Sequence, residues 1–72
     1  MPDKHRERDH LVQSDRHLVQ ARVNILRQEQ LIERLAAGGH DTRDAESFLS
    51  ALIETLHSWE HHHRIILDRL AP

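Results

Sequence analysis

The sequence contains no cysteine, which excludes disulfide bonds and thiolate zinc sites as sources of stability. A chain of 72 residues buries little of its surface, so proteins of this size usually need a further source of stability. Without cysteine, that source is either association with other subunits or a metal bound by histidine. The same absence fits a reducing compartment, and we expect a cytoplasmic protein.

Long apolar runs and a strong charge of one sign are also missing. No stretch approaches the roughly 18 apolar residues of a transmembrane helix, and residues 1–8 lack the apolar segment of a signal peptide. The net charge is −2, from 10 Lys and Arg against 12 Asp and Glu, with both signs interspersed. We therefore expect no membrane association, and the composition argues against a polybasic nucleic-acid binder.

Glycine and proline are scarce, and their positions leave two uninterrupted segments. The two glycines are adjacent, at Gly38 and Gly39, and the prolines stand at positions 2 and 72. Glycine ends a helix readily because it adopts the left-handed conformation without strain, and Asp41 or Thr42 can cap the next helix. The expected boundaries are helix 1 at about 5–37, a turn at 38–42 and helix 2 at about 43–70, within one domain over 1–72.

Apolar residues recur at alternating steps of three and four in both segments, which is the pattern of a coiled-coil seam. The two seams have matching length, so the predicted fold is an all-α, coiled-coil-like antiparallel hairpin of two helices. The predicted seam residues are Leu11, Leu18, Ala21, Ile25, Ile32, Leu35, Leu49, Leu52, Leu56, Trp59, His63, Ile66 and Leu70. The register opposes Ser14 to Ile66, Leu18 to His63, Ala21 to Trp59, Gln28 to Leu52 and Leu31 to Phe48, with Arg22 beside Glu60.

A second set of apolar residues lies outside this seam and would face water in a monomer. Such a patch usually marks an interface, although a wide apolar stripe can also simply broaden the core of the hairpin. Two hairpins packed face to face form a four-helix bundle, so we expect a homo-oligomer, with a two-fold dimer as the default form. The predicted interface residues are Val12, Val19, Val23, Leu26, Ile53 and Leu67.

Eight histidines in 72 residues raise the possibility of a metal site. His57 and His61 share a helical face, and the predicted register brings His62 beside His17. No carboxylate pattern typical of zinc peptidases or di-iron proteins accompanies them, so these four residues are weak metal candidates and no cofactor is predicted. His63 in the seam predicts that acid loosens the hairpin, because burial disfavours a charged imidazole.

No residue pattern points to catalysis or to nucleic-acid binding. The serines lack an adjacent base held by a motif, and Gly38-Gly39 is a helix stop and not a phosphate loop, so we do not expect an enzyme. Acidic residues dilute the arginines of helix 1, so nucleic acid is not an expected partner. The arginines concerned are Arg6, Arg8, Arg16, Arg22, Arg27 and Arg34.

Residues in and around the turn carry a resemblance to a known group of proteins. The segments concerned are Arg27-Gln28-x-x-Leu31-Ile32-x-x-Leu35, Gly39-His40-Asp41-Thr42-x-x-Ala45, and His57 with His63-Arg64-x-x-Leu67. Over roughly residues 17–70 they resemble short, uncharacterised helical-hairpin proteins of proteobacteria, especially rhizobia and their relatives. The Gly-His-Asp-Thr turn is the most specific part. The resemblance implies a cytoplasmic helical hairpin and carries no activity, cofactor or catalytic residue.

These observations predict a non-enzymatic, homo-oligomeric helical interaction module, acting as a scaffold, adaptor or small regulator. Its expected partner is a second copy of itself, with a further protein partner possible. A histidine-based metal-binding or pH-sensing protein is the alternative from another class. A small DNA-associated regulator is a third and weaker hypothesis.

Overall fold

The computed structural model describes residues 4–72, with side chains from Arg6 onward, and these residues form a helical hairpin. Helix α1 spans Lys4–Ala37 and helix α2 spans Arg43–Leu70. The two helices pack against each other in a rod of 57 × 14 × 14 Å. The prediction of an all-α hairpin is confirmed. Over the described residues, neither helix has an apolar stretch long enough to cross a membrane.

The glycine pair ends α1 through a pair of backbone hydrogen bonds. The His40 N–H donates to the Leu35 carbonyl at 2.9 Å, and the Gly39 N–H donates to the Ala36 carbonyl at 3.0 Å. This pattern requires a left-handed residue, and Gly39 supplies it with φ of 74°. A Cβ on Gly39 would meet no atom within 4 Å, so backbone conformation and not space selects glycine here.

Thr42 holds the N-cap position of α2, but the side-chain hydrogen bond to the start of this helix comes from Asp41, one residue earlier. Its Oδ1 accepts a hydrogen bond from the Arg43 N–H at 3.0 Å, whereas the Thr42 side chain makes no capping bond. The Arg43 guanidinium also donates to both carboxylate oxygens, at 2.7 to 3.2 Å. These hydrogen bonds from Arg43 lower the pKa of the Asp41 carboxyl and raise that of the guanidinium.

The core of the hairpin is small. Its buried apolar side chains are Leu18, Ala21 and Ile66, and the Ser14 hydroxyl is buried with them. The other ten predicted seam residues are only half-buried: Leu11, Ile25, Ile32, Leu35, Leu49, Leu52, Leu56, Trp59, His63 and Leu70. Each helix thus covers one side of the other and leaves the rest to solvent.

The contacts between the helices correct the predicted register. Ser14 lies beside His63, three residues closer to the turn than its predicted partner Ile66. The Gln28 amide donates to the Ala45 carbonyl at 2.9 Å, again closer to the turn than predicted. Buried hydroxyl and amide groups need polar partners, and this shift supplies them.

Two flanking pairs of the predicted register have different outcomes. The Arg22 guanidinium and the Glu60 carboxylate are 3.9 Å apart, so the expected ion pair is present. Leu31 and Phe48, expected to pack as an apolar pair, remain 36% and 55% exposed. Near the turn, the hairpin therefore leaves large apolar side chains facing solvent.

Candidate interaction surface

One broad face of the hairpin carries five exposed apolar side chains, here called the apolar face. They are Val12, Val19, Leu26, Ile53 and Leu67, with exposures of 51%, 60%, 56%, 37% and 45%. Residues seven apart lie along one side of a helix, which aligns the first three on α1 and the last two on α2. The exposed set therefore forms two rows, one on each helix.

The Arg22–Glu60 ion pair shows that both rows lie on the same face. Arg22 is three residues after Val19 and four before Leu26, so these side chains are neighbours on the surface of α1. Ile53 and Leu67 stand seven residues on either side of Glu60. Because the ion pair spans the two helices on this face, it joins the two apolar rows.

Charged residues occupy the middle of the apolar face. An open groove of about 470 Å³ lies there, lined by Asp15, Leu18, Arg22, His57, Glu60, His63 and Arg64. The antiparallel alignment places Val12 about level with Leu67 at one end of this groove, and Leu26 about level with Ile53 at the other. The face thus consists of two apolar layers with a polar layer between them.

Val23 was also predicted to belong to this surface. It is half-buried and therefore less exposed than the five residues of the apolar face. It stands four residues after Val19 and three before Leu26, so it neighbours both on the surface of α1. Its place in the interface stays a prediction.

His63 lies between two residues of α1, one buried and one exposed. Its Nδ1 atom is 3.3 Å from the Ser14 hydroxyl and 3.4 Å from the Asp15 carboxylate. The combination of Ser, His and Asp is not a catalytic relay, because such a relay needs the serine and the carboxylate on opposite ring nitrogens. Ser14 is also only 2% exposed, so a substrate could not reach it.

The predicted neighbours His17 and His62 both contact the Trp59 indole. The ring centroids of His17 and Trp59 are 4.1 Å apart at an interplanar angle of 87°, and those of Trp59 and His62 are 6.0 Å apart. Trp59, expected to face Ala21, reaches His17 because the register is shifted. A groove of about 380 Å³ lies beside these rings, lined by His10, Gln13, Ser14, His17, Trp59, His62 and Arg69.

The weak metal candidates do not assemble into a larger site. His57 lines the groove of the apolar face, while His61 is exposed one turn further along α2. Among the described residues, no group of three or more His, Asp or Glu side chains is placed to hold a metal ion. The four candidates His17, His57, His61 and His62 therefore lack a third ligand in this part of the chain.

The arginines of α1 do not share a face. Arg22 lies on the apolar face beside Glu60. Gln20 lies on the opposite face, where it lines a second groove beside Trp59. Arg27 and Arg34 follow Gln20 at steps of seven residues, so they lie on that opposite face as well. The basic stripe considered from the sequence is therefore divided between two surfaces.

Glu7 extends the contact between the helices beyond the predicted seam. Its side chain is 13% exposed, and its Oε1 atom lies 3.7 Å from the Arg69 guanidinium. The other oxygen, Oε2, is buried without a hydrogen-bond partner among the described residues. The sequence held a signal for this position, since Glu7 stands four residues before Leu11, on the seam spacing.

Comparisons with protein-family models, with curated proteins and with solved structures found no match. The surface itself therefore carries the functional argument.

Proposed function

We propose that this chain is a non-enzymatic, homo-oligomeric helical interaction module, which assembles as a four-helix dimer through its apolar face. In this role it acts as a scaffold, adaptor or small regulator, and a further protein can bind the assembled bundle. A cytoplasmic location is part of the proposal and is supported by the cysteine-free composition. The observation that carries the proposal is the apolar face itself.

The small core of the hairpin explains why the apolar face needs a partner. Three buried apolar side chains among residues 6–72 are few for a chain that must offset the conformational entropy of folding. Completing the burial of the five side chains on the apolar face would contribute roughly 1 kcal/mol each, since they are about half exposed. A second copy brings the same five side chains, so association enlarges the shared core from both sides.

The test replaces Val19 and Leu26 together by glutamate and measures the mass of the particle by sedimentation equilibrium. Charge introduced into a dry interface has no partner, so we expect the mass to fall from twice the chain mass of 8.5 kDa to a single chain. Helicity should fall at the same time, because folding and association are linked by mass action.

The matched control is the double substitution Gln13→Glu and Gln20→Glu. It adds the same two charges to the same helix at the same seven-residue spacing, but both glutamines are exposed and Gln20 lies away from the apolar face. The control should keep the wild-type mass. A wild-type monomer, or a Val19→Glu and Leu26→Glu variant that keeps its mass, would remove the apolar face as the interface.

A second candidate function, pH sensing, is favoured by the position of His63. Protonation adds a positive charge to a half-buried ring whose Nδ1 already lies 3.4 Å from the Asp15 carboxylate. The groove around it holds the guanidinium groups of Arg22 and Arg64, the carboxylates of Asp15 and Glu60, and the His57 imidazole, so the added charge has neighbours of both signs. Sedimentation across the titration range of histidine, repeated with His63→Gln, tests whether association responds to this residue.

A further inference from the structure

Resting on the proposed self-association, we infer that the second copy lies on the apolar face in the reverse direction. The turn of each chain then lies beside the open end of the other, where α1 begins and α2 ends. Helix α1 packs on α1 of the second copy, and Val19 meets Val19 of the second copy at the two-fold axis.

Two arrangements of a face-to-face dimer are compatible with two-fold symmetry. If the axis runs along the helices, both turns lie at the same end and α1 covers α2 of the second copy. If the axis runs across the helices, the turns lie at opposite ends and like helices pair. Val12 and Leu26 are equally far from Val19, so both arrangements bury the apolar layers and apolar burial does not choose between them.

The charges near the turn favour one of them. Near the turn this face carries the exposed carboxylates of Glu29, Glu33 and Glu46, and the guanidinium of Arg43 beside them is held by Asp41. With both turns at the same end, these carboxylates would gather from two chains. Like charges brought together in this way oppose association. The same arrangement would also set Val19 against Glu60.

The reverse arrangement separates the two sets of carboxylates and forms complementary pairs along α1. With Val19 on Val19, a single register places Asp15 opposite Arg22 of the second copy and Glu29 opposite Arg8. It also sets Val12 against Leu26. Each of these contacts occurs twice because of the symmetry, which gives four ion pairs across the interface.

Helix α2 follows the same register, which also sets His57 about opposite Arg64 of the second copy. Leu67 meets Ile53 of the second copy, which completes the apolar layers. Glu60 meets its own copy near the axis, but its carboxylate already lies 3.9 Å from the Arg22 guanidinium of its own chain. That neighbouring cation reduces the repulsion between the two carboxylates.

Single cysteines distinguish the two arrangements, and the chain has no cysteine of its own to interfere. Under mild oxidation, Val19→Cys should form a disulfide with itself. Val12→Cys and Leu26→Cys should each remain unlinked alone but form a mixed disulfide when combined, which isotope labelling of one variant identifies by mass. Cysteine is a small apolar residue, so these variants should still associate.

Charge exchange gives an independent readout of the same register. Glu29→Arg alone should weaken the dimer about three-fold per pair, as expected for an exposed ion pair. Adding Arg8→Glu in the same chain should restore the wild-type dissociation constant. Failure of the double variant to recover would overturn the reverse arrangement.

The outcomes separate this inference from the proposed function. A dimer that links Val12→Cys to Leu67→Cys and Leu26→Cys to Ile53→Cys, but not Val19→Cys to itself, overturns the reverse arrangement and keeps the interface. A wild-type monomer in sedimentation, or a dimer linked by none of these cysteines, overturns both.

Discussion

The contact between Ser14 and His63 predicts that Ser14→Ala lowers stability in the wild type but not in the His63→Leu variant. The two changes are Ser14→Ala and His63→Leu, made singly and together. In the wild type, the hydroxyl and the imidazole satisfy each other at 3.3 Å. In His63→Leu, the hydroxyl loses this partner while it stays in a site that is 2% exposed.

The magnitudes follow from the burial of the hydroxyl. Removing a satisfied hydrogen bond by Ser14→Ala should cost about 0.5–1.5 kcal/mol in the wild type. An orphaned hydroxyl costs about 1–3 kcal/mol, so in the His63→Leu background the same Ser14→Ala change should be neutral or stabilising. The expected coupling energy between the two sites is therefore about 1–2 kcal/mol.

The assay is urea unfolding followed by far-ultraviolet circular dichroism, with Trp59 fluorescence as a second probe. All four proteins must be compared at one protein concentration and at neutral pH, because association makes the apparent stability depend on concentration. In a domain of this size, 1 kcal/mol corresponds to about 4–8 °C in Tm, so thermal unfolding resolves the difference. Equal effects of Ser14→Ala in both backgrounds would refute the reasoning.

Two further predictions concern packing and acid. Ala21 is 8% exposed, so Ala21→Leu should overpack the seam and lower the free energy of unfolding in urea by about 1–3 kcal/mol. The control, Gln20→Leu at an exposed site, should be nearly neutral. Equal effects of the two changes would contradict the assigned seam. Hydrogen bonds from Arg43 hold the pKa of Asp41 below its ordinary value of 3.8, so this carboxylate contributes stability above pH 3.8 that is lost as pH falls through the lower folded value. Asp41→Asn keeps an oxygen for the cap but has no charge to titrate, so the free energy of unfolding should fall less steeply at low pH in this variant. An unchanged fall would assign the loss of stability in acid to other groups.

The helices and the turn could be predicted from the sequence because their determinants are local. Gly39 is needed for one left-handed position, and Asp41 accepts the N–H of a residue two places later. Neither interaction depends on how the helices pack. The choice between Asp41 and Thr42 stayed open because both residue types cap helices and only the three-dimensional geometry shows which one does.

The register could not be predicted as securely, because a heptad pattern is periodic. Sliding one helix by a helical step keeps apolar rows facing each other, so apolar periodicity alone accepts several registers. The polar members decide between them. Ser14 and Gln28 have few partners within reach, and their bonds to His63 and Ala45 fix the alignment observed. A search for partners of the polar seam residues would have pointed towards this register.

The position of Asp15 links the hairpin, the proposed dimer and the pH-sensing candidate. Its carboxylate lies 3.4 Å from His63 within the chain, yet the side chain is 61% exposed and available to a second copy. In the reverse arrangement, Arg22 of the second copy approaches this same carboxylate. When His63 is protonated, the Asp15 carboxylate has two cations beside it, and their mutual repulsion acts across the interface, partly offset by the Glu60 carboxylate in the same groove. Acid would thus oppose association at the centre of the apolar face, even though the contact between His63 and Asp15 within one chain becomes stronger.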